Sequence, residues 1–216
     1  MKSRGSALVS VILVLLVLTI VGVGIAYFTS MEDRLSGNTR ITKAGFYAAD
    51  AGLRRGEAIL NKAVNVPPTT CAPPNITTLL QNRLGPDVAI PGGGYPAQIL
   101  DLTAVGALGV GCLDVTEKKP YKDIVIPVPA GTPVVDSATY TLYLRNNADD
   151  ATGDATTDGG DNIVNLISIG TVRLATGVKL TKIVEEQLLL STGGQTVGTQ
   201  KGLYSSNTNT IVSGGS

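Results

Sequence analysis

The chain has 216 residues, with 17 basic and 17 acidic side chains, and only 16% of its residues are charged. That balance argues against a nucleic-acid partner, which needs a basic face. The absence of histidine excludes Ser-His-Asp, Cys-His and histidine-ligated metal chemistry, and no spacing among the 17 acids singles out a catalytic carboxylate pair, so no enzyme is expected.

Residues 1–5, MKSRG, form a short leader carrying Lys2 and Arg4. An uncharged run follows from Ser6 to Phe28, and the next charge is Glu32. About 20 apolar residues suffice for a helix to cross a bilayer's hydrocarbon core, so residues 6–28 are long enough. Positive flanks resist translocation, which keeps the leader cytoplasmic and sends everything beyond Phe28 outward. Three readings fit. A cleaved signal peptide has a shorter core and a small-residue site, for which Ala26-Tyr27-Phe28 is a poor match. A plain signal anchor is the second. The third is a class III leader, cut after Gly5 so that the apolar helix stays on the mature chain.

From Thr29 to about Ala63 there is no proline. Met31, Leu35, Phe46, Ala49, Leu53 and Leu60 fall near one face of a 3.6-residue helix, and the other face is charged. The spacing predicts one helix from Ser6 to Lys62, with a membrane half and an amphipathic half at residues 29–63. Gly22, Gly24, Gly37, Gly45 and Gly52 each cost a helix about 1 kcal/mol. They mark either close helix packing or kink points.

Gly5-Ser6-Ala7-Leu8-Val9, Leu18-Thr19, Met31–Asn38 (MEDRLSGN) and Gly45–Leu53 (GFYAADAGL) resemble the N-terminal region of PilX-like minor pilins of type IV pili. A weaker match joins Leu144-Arg145-Asn146-Asn147, an Asp/Gly-rich loop, Ile163-Val164 and Ser168-Ile169-Gly170. Residues 64–138 carry no resemblance. The resemblance implies cleavage by prepilin peptidase after Gly5 and N-methylation of Ser6. It implies a structural subunit, placed first in the inner membrane and then in a pilus at the cell surface. Its implied partners are other minor pilins, the major pilin and an inner-membrane assembly platform. Most pilins carry a glutamate at the fifth mature position, where this chain has Ser10. A charged N-terminal amine in an apolar filament core needs a carboxylate partner from an adjoining subunit. A subunit without that carboxylate suits a place with nothing ahead of it, at the tip; the competing reading is that Ser10 is simply tolerated in a rare subunit. The alternatives are a tip-located binding module and a type II secretion pseudopilin.

Residues 64–190 suffice for one modest β-rich domain. Helical character is expected only at Ile76–Leu84. Strands are expected at Ile99–Leu102, Ile124–Val128, Thr139–Leu144, Asn162–Ile169 and Val178–Leu190. No helix separates the last three, so the predicted class is α+β, an antiparallel sheet packed on the amphipathic half of the long helix.

Cys71 and Cys112 are the only cysteines, and the oxidising side of the membrane favours a disulfide between them. Closing a loop of about 42 residues would stabilise the chain by roughly 4 kcal/mol on the chain-entropy model. Buried free thiols are the alternative. In the loop after Asn146, Asp154, Thr156, Asp158 and Gly159 mimic positions 1, 3, 5 and 6 of a calcium loop. The twelfth position is Asn165 rather than a bidentate glutamate, which leaves a solvated hairpin loop as the competing reading. Asp149, Asp150 and Asp161 offer further oxygens, so the calcium set is Asp154, Asp158 and Asp161, and no other cofactor is expected. Residues 191–216 are rich in Gly, Ser, Thr and Asn, the composition of a flexible tail, with room for an edge strand at Thr196–Tyr204.

Overall fold

The computed structural model describes residues 4–64, 76–90, 95–103, 113–114, 116–128, 135–147, 153–190 and 199–200, with the backbone only at 4–7, 64 and 199–200. One helix, α1, runs from Arg4 to Val64, close to the predicted span. The chain divides between Thr42 and Lys43 into two compact units.

In the first unit every side chain from Leu8 to Val23 is exposed, and Phe28 is 68% exposed. The helix is long and apolar enough to cross a membrane. Thr19 and Thr29 donate their hydroxyls to Leu15 O at 2.8 Å and Ile25 O at 3.0 Å. Apolar surroundings offer no water, so returning a hydroxyl to the helix's own carbonyl removes a desolvation cost. Met31 and Leu35, expected on a packed face, are 52% and 70% exposed.

In the second unit α1 lies on an antiparallel sheet. A short helix α2 (Ile76–Gln81) precedes strands β1 (Leu84–Val88), β2 (Ala97–Ile99), β3 (Ile124–Ile126), β4 (Val135–Asn146), β5 (Ile163–Leu174), β6 (Lys179–Leu189) and β7 (Thr199–Gln200). The order is β1-β2-β4-β5-β6-β7, with β3 also on β4. β2 and β3 share one edge of β4, at Tyr143–Leu144 and Ala138–Tyr140. Between them Leu100 N donates to Leu142 O, Tyr121 N to Leu100 O, and Leu142 N to Tyr121 O. The β5–β6 connection is a tight turn. Gly177 N donates to Leu174 O at 2.8 Å, and Gly177 has φ 84°, a conformation that costs glycine little.

Alternation sets the faces. Tyr140, Leu142 and Leu144 of β4, with Val164 and Leu166 of β5 and Leu188 of β6, turn toward α1 and join Leu53, Ile59, Leu60 and Ala63 in the main core. Ile167 turns the other way, into a smaller cluster with Ile90 and Ala97. The helix stripe that packs is Ala48, Ala49, Gly52, Leu53, Gly56, Ile59, Leu60 and Ala63. Phe46, also expected on that face, is 41% exposed, because one residue past Gly45 turns it about 100° away.

Several boundaries differ from expectation. α2 stops at Gln81, where Asn82 Nδ2 takes up Thr78 O at 2.7 Å and Arg83 Nε takes up Leu80 O at 2.6 Å. Leu84, expected at the end of the helix, instead begins a strand, β1, with Pro86 inside it. An edge strand tolerates a proline. The strand expected at Ile99–Leu102 sits at Ala97–Ile99, since Leu100 and Leu102 bond Leu142 and Lys119 outside the regular ladder. β4 and β5 extend beyond the expected Thr139–Leu144 and Asn162–Ile169, and β7 falls within the edge strand foreseen at Thr196–Tyr204.

Candidate functional site

The sequence marks four places: the Gly5-Ser6 junction with Ser10, the cysteine pair, the small-residue positions of α1, and the acid loop. Gly5 and Ser6 lie in the first turns of α1. Ser10 is exposed, beside Val11, Val14 and Leu15 in a shallow apolar groove. Further along the first unit, Tyr27, Phe28, Met31 and Leu35 line a second groove, with Glu32 and Arg34 beside them. Cys71, Cys112, Asp149 and Asp150 lie outside the described residues.

The small residues divide by position. Gly22, Gly24 and Gly37 have open space around them, whereas Gly45, Gly52 and Gly56 lie under the sheet. A Cβ on Gly52 would meet Ser168 Oγ at 2.3 Å, and one on Gly56 would meet Leu142 Cδ1 at 2.8 Å. From the sheet side, a Cβ on Gly170 would meet Ala49 N at 2.3 Å and Gly45 O at 2.7 Å. So Ser168-Ile169-Gly170 and the GFYAADAGL stretch, quoted separately from the sequence, are two sides of one seam.

The end of α1 is held by charge. Lys62 Nζ donates to Asp114 Oδ2 at 2.9 Å and to Glu117 Oε2 at 2.8 Å. Arg55 Nη2 reaches Glu117 Oε1 at 3.5 Å. The Lys62 bond holds the Glu117 carboxyl below its usual range, and the Glu117 bond raises Lys62. Tyr121 donates to Glu117 O at 3.0 Å, and burial pushes its phenol up to about 12. These contacts fix Leu113, the residue after Cys112, against α1. On the opposite face of the sheet, Arg145 Nε donates to Glu185 Oε1 at 2.9 Å, and Asn165 Nδ2 donates to the same oxygen at 2.7 Å.

The acid loop is built onto β4. Asn146 is fully buried, and its Nδ2 donates to Asp154 O at 2.9 Å and Thr157 O at 3.1 Å. Asn147 Nδ2 donates to Asp161 Oδ2 at 2.7 Å. Arg83 Nη1 donates to Leu144 O at 3.0 Å and Nη2 to Ala155 O at 2.5 Å, while Tyr95 donates to Gly153 O at 2.8 Å. Burial lowers the Arg83 guanidinium from its usual value. Asp154 Oδ1 accepts from Thr156 N and Thr156 Oγ1, which holds its carboxyl low. Burial pushes the Asp158 carboxyl up, and the adjoining Asp161 adds to the shift. Asp154 thus points into its own turn, apart from Asp158 and Asp161. Among the described residues no three carboxylates converge as a metal-binding group.

Arg83 and Tyr95 are residues that sequence reasoning gave no part in this loop, while Asn146 and Asn147 were placed at its start without a ligand role. Only Arg145-Asn146-Asn147 left a signal, through its place in the resemblance.

One helix, Arg4–Val64, carries both a bilayer-length apolar segment and the stripe that packs on the sheet. Residues 4–54 match the family model described as PilX N-terminal, so this part of the chain is similar to the N-terminal region of PilX-like type IV pilins. No curated protein and no solved structure matches the chain.

Proposed function

We propose that this chain helps start or cap a type IV pilus, at or near its tip. Prepilin peptidase would remove residues 1–5 and Ser6 would become the methylated N-terminus. The protein would wait in the inner membrane as a single-pass precursor, with most of the chain outside the cytoplasm. From there the assembly platform would bring it together with other minor pilins and the major pilin. Its role is structural rather than enzymatic. The observation that carries the tip position is Ser10, an exposed hydroxyl in an apolar helix where a pilin's glutamate is usual. Without a carboxylate there, the subunit offers nothing to neutralise the buried amine of a subunit ahead of it.

N-terminal sequencing of membrane-extracted protein is expected to begin at Ser6. A start near Thr29 would instead show removal of the whole apolar run and end the pilin assignment for the mature protein. Immunogold labelling tests the position. Gold should concentrate at filament ends, and Ser10→Glu should spread it along shafts, since pairing a buried charge recovers several kcal/mol. Even labelling of wild-type shafts would sink the tip position and leave the pilin assignment standing.

A further inference from the structure

We propose that the loop after β4 binds a divalent cation of the calcium kind through Asn147 Oδ1, Asp158 Oδ1 and Asp161 Oδ2. Asn147 is 2% exposed, and its Oδ1 is buried without a hydrogen-bond partner. The other end of the same amide, Nδ2, is 2.7 Å from Asp161 Oδ2, so the orphaned oxygen sits beside that carboxylate. Asp158 Oδ1 is likewise buried and unpartnered, while Asp158 Oδ2 accepts from Gly160 N at 3.1 Å. Burial pushes the Asp158 carboxyl up and the adjoining Asp161 adds to the shift, as expected of neighbouring acids three residues apart in one loop. Two adjoining carboxylates, beside a buried carbonyl oxygen that no donor satisfies, repel unless something positive lies between them.

The donor atoms are all oxygen, which suits a hard cation rather than zinc. Calcium tolerates irregular geometry and completes its shell with water, whereas magnesium demands a near-ideal octahedron. The set differs from the one the calcium-loop pattern suggests, because Asn147 enters and Asp154 leaves. Asp158 N donates to Thr77 Oγ1 at 3.2 Å, so a cation here would clamp the loop against α2 as well as β4. With two carboxylates, the affinity should fall near the ~10⁻⁴–10⁻³ M of extracellular calcium modules. That range matches a protein that meets calcium only outside the cytoplasm.

The test is calcium titration of the full chain, detergent-solubilised and stripped with chelator, read by calorimetry and by thermal unfolding. Saturable binding and a raised melting temperature are expected with calcium, and a much weaker response with magnesium. Asp158→Asn and Asp161→Asn should each abolish both responses, while Asp154→Asn should keep them. Should those variants fail to fold, terbium luminescence on the unaltered chain, displaced by calcium, reads the same site. Absence of heat, melting shift and terbium signal would overturn the proposal. So would loss of binding in Asp154→Asn with binding kept in Asp158→Asn. A chain stabilised by mild acid but indifferent to calcium would show that Asp158 and Asp161 share a proton instead, which also overturns it.

Discussion

Gly170→Val is expected to leave the second unit unfolded. The Cβ alone would sit 2.3 Å from Ala49 N, 2.7 Å from Gly45 O and 2.8 Å from Ala49 Cα, all backbone atoms of α1. Side chains can change rotamer to make room, but a helix backbone cannot, so α1 and β5 would have to part along the seam. Overpacking a core costs about 1–3 kcal/mol where side chains can adjust. Here the loss should exceed about 4 kcal/mol, a large share of the roughly 5–15 kcal/mol that holds a domain together. Gly56→Ala is the milder comparison, because it meets only the side-chain ends of Leu142 and Leu166 and should cost about 1–3 kcal/mol. Urea unfolding of the purified chain measures both. An unaltered midpoint in Gly170→Val would show that α1 and β5 do not touch as described.

Arg145→Ala carries the second large effect. Its side chain is 4% exposed and that of Glu185 is 9% exposed, so removing the guanidinium strands a carboxylate out of water. Breaking a buried pair in this way costs about 3–5 kcal/mol. Asn165 would still donate to Glu185, which offsets part of the loss. Replacing both partners together, Arg145→Met with Glu185→Met, should recover most of the stability, since two desolvation penalties vanish along with the attraction. A double-mutant cycle by urea unfolding separates the cases. A single-variant loss well under about 1 kcal/mol would place the pair in water, where ion pairs contribute little.

Not every loss of legibility has the same cause. The helix was foreseen almost to the residue because continuity and apolarity are local properties. Its packing face was foreseen only in part. Ala49, Leu53 and Leu60 are buried as expected, but Met31, Leu35 and Phe46 are not. The sheet reaches α1 from Gly45 onward, and periodicity alone does not say where a covering layer begins. β5 runs to Leu174, past the expected end at Ile169, and glycine in a strand interior often marks a close backbone approach. In the fold Gly170 is what lets the strand pass under the helix.

At Asp154 the structure shows a local turn that spacing does not reveal. Spacing places four residues on one loop, but short polar side chains in loops readily bond their own backbone. Asp154 Oδ1 accepts from both Thr156 N and Thr156 Oγ1. Asn147 lies outside the pattern and reaches Asp161 only because β4 and β5 flank the loop as paired strands.

The sequence alone determined the uncharged span of residues 6–28, the proline-free helix beyond it and the alternating strands of an α+β unit. Each of these follows from neighbours within a few turns or residues. Tertiary structure decided that Gly170 meets Gly45 and Ala49, and that Arg145 meets Glu185. It also decided that Asn147 closes on Asp161. Those partners are set by sheet register and by the face the helix presents, and a shift of one residue would turn every side chain of a strand to the other side.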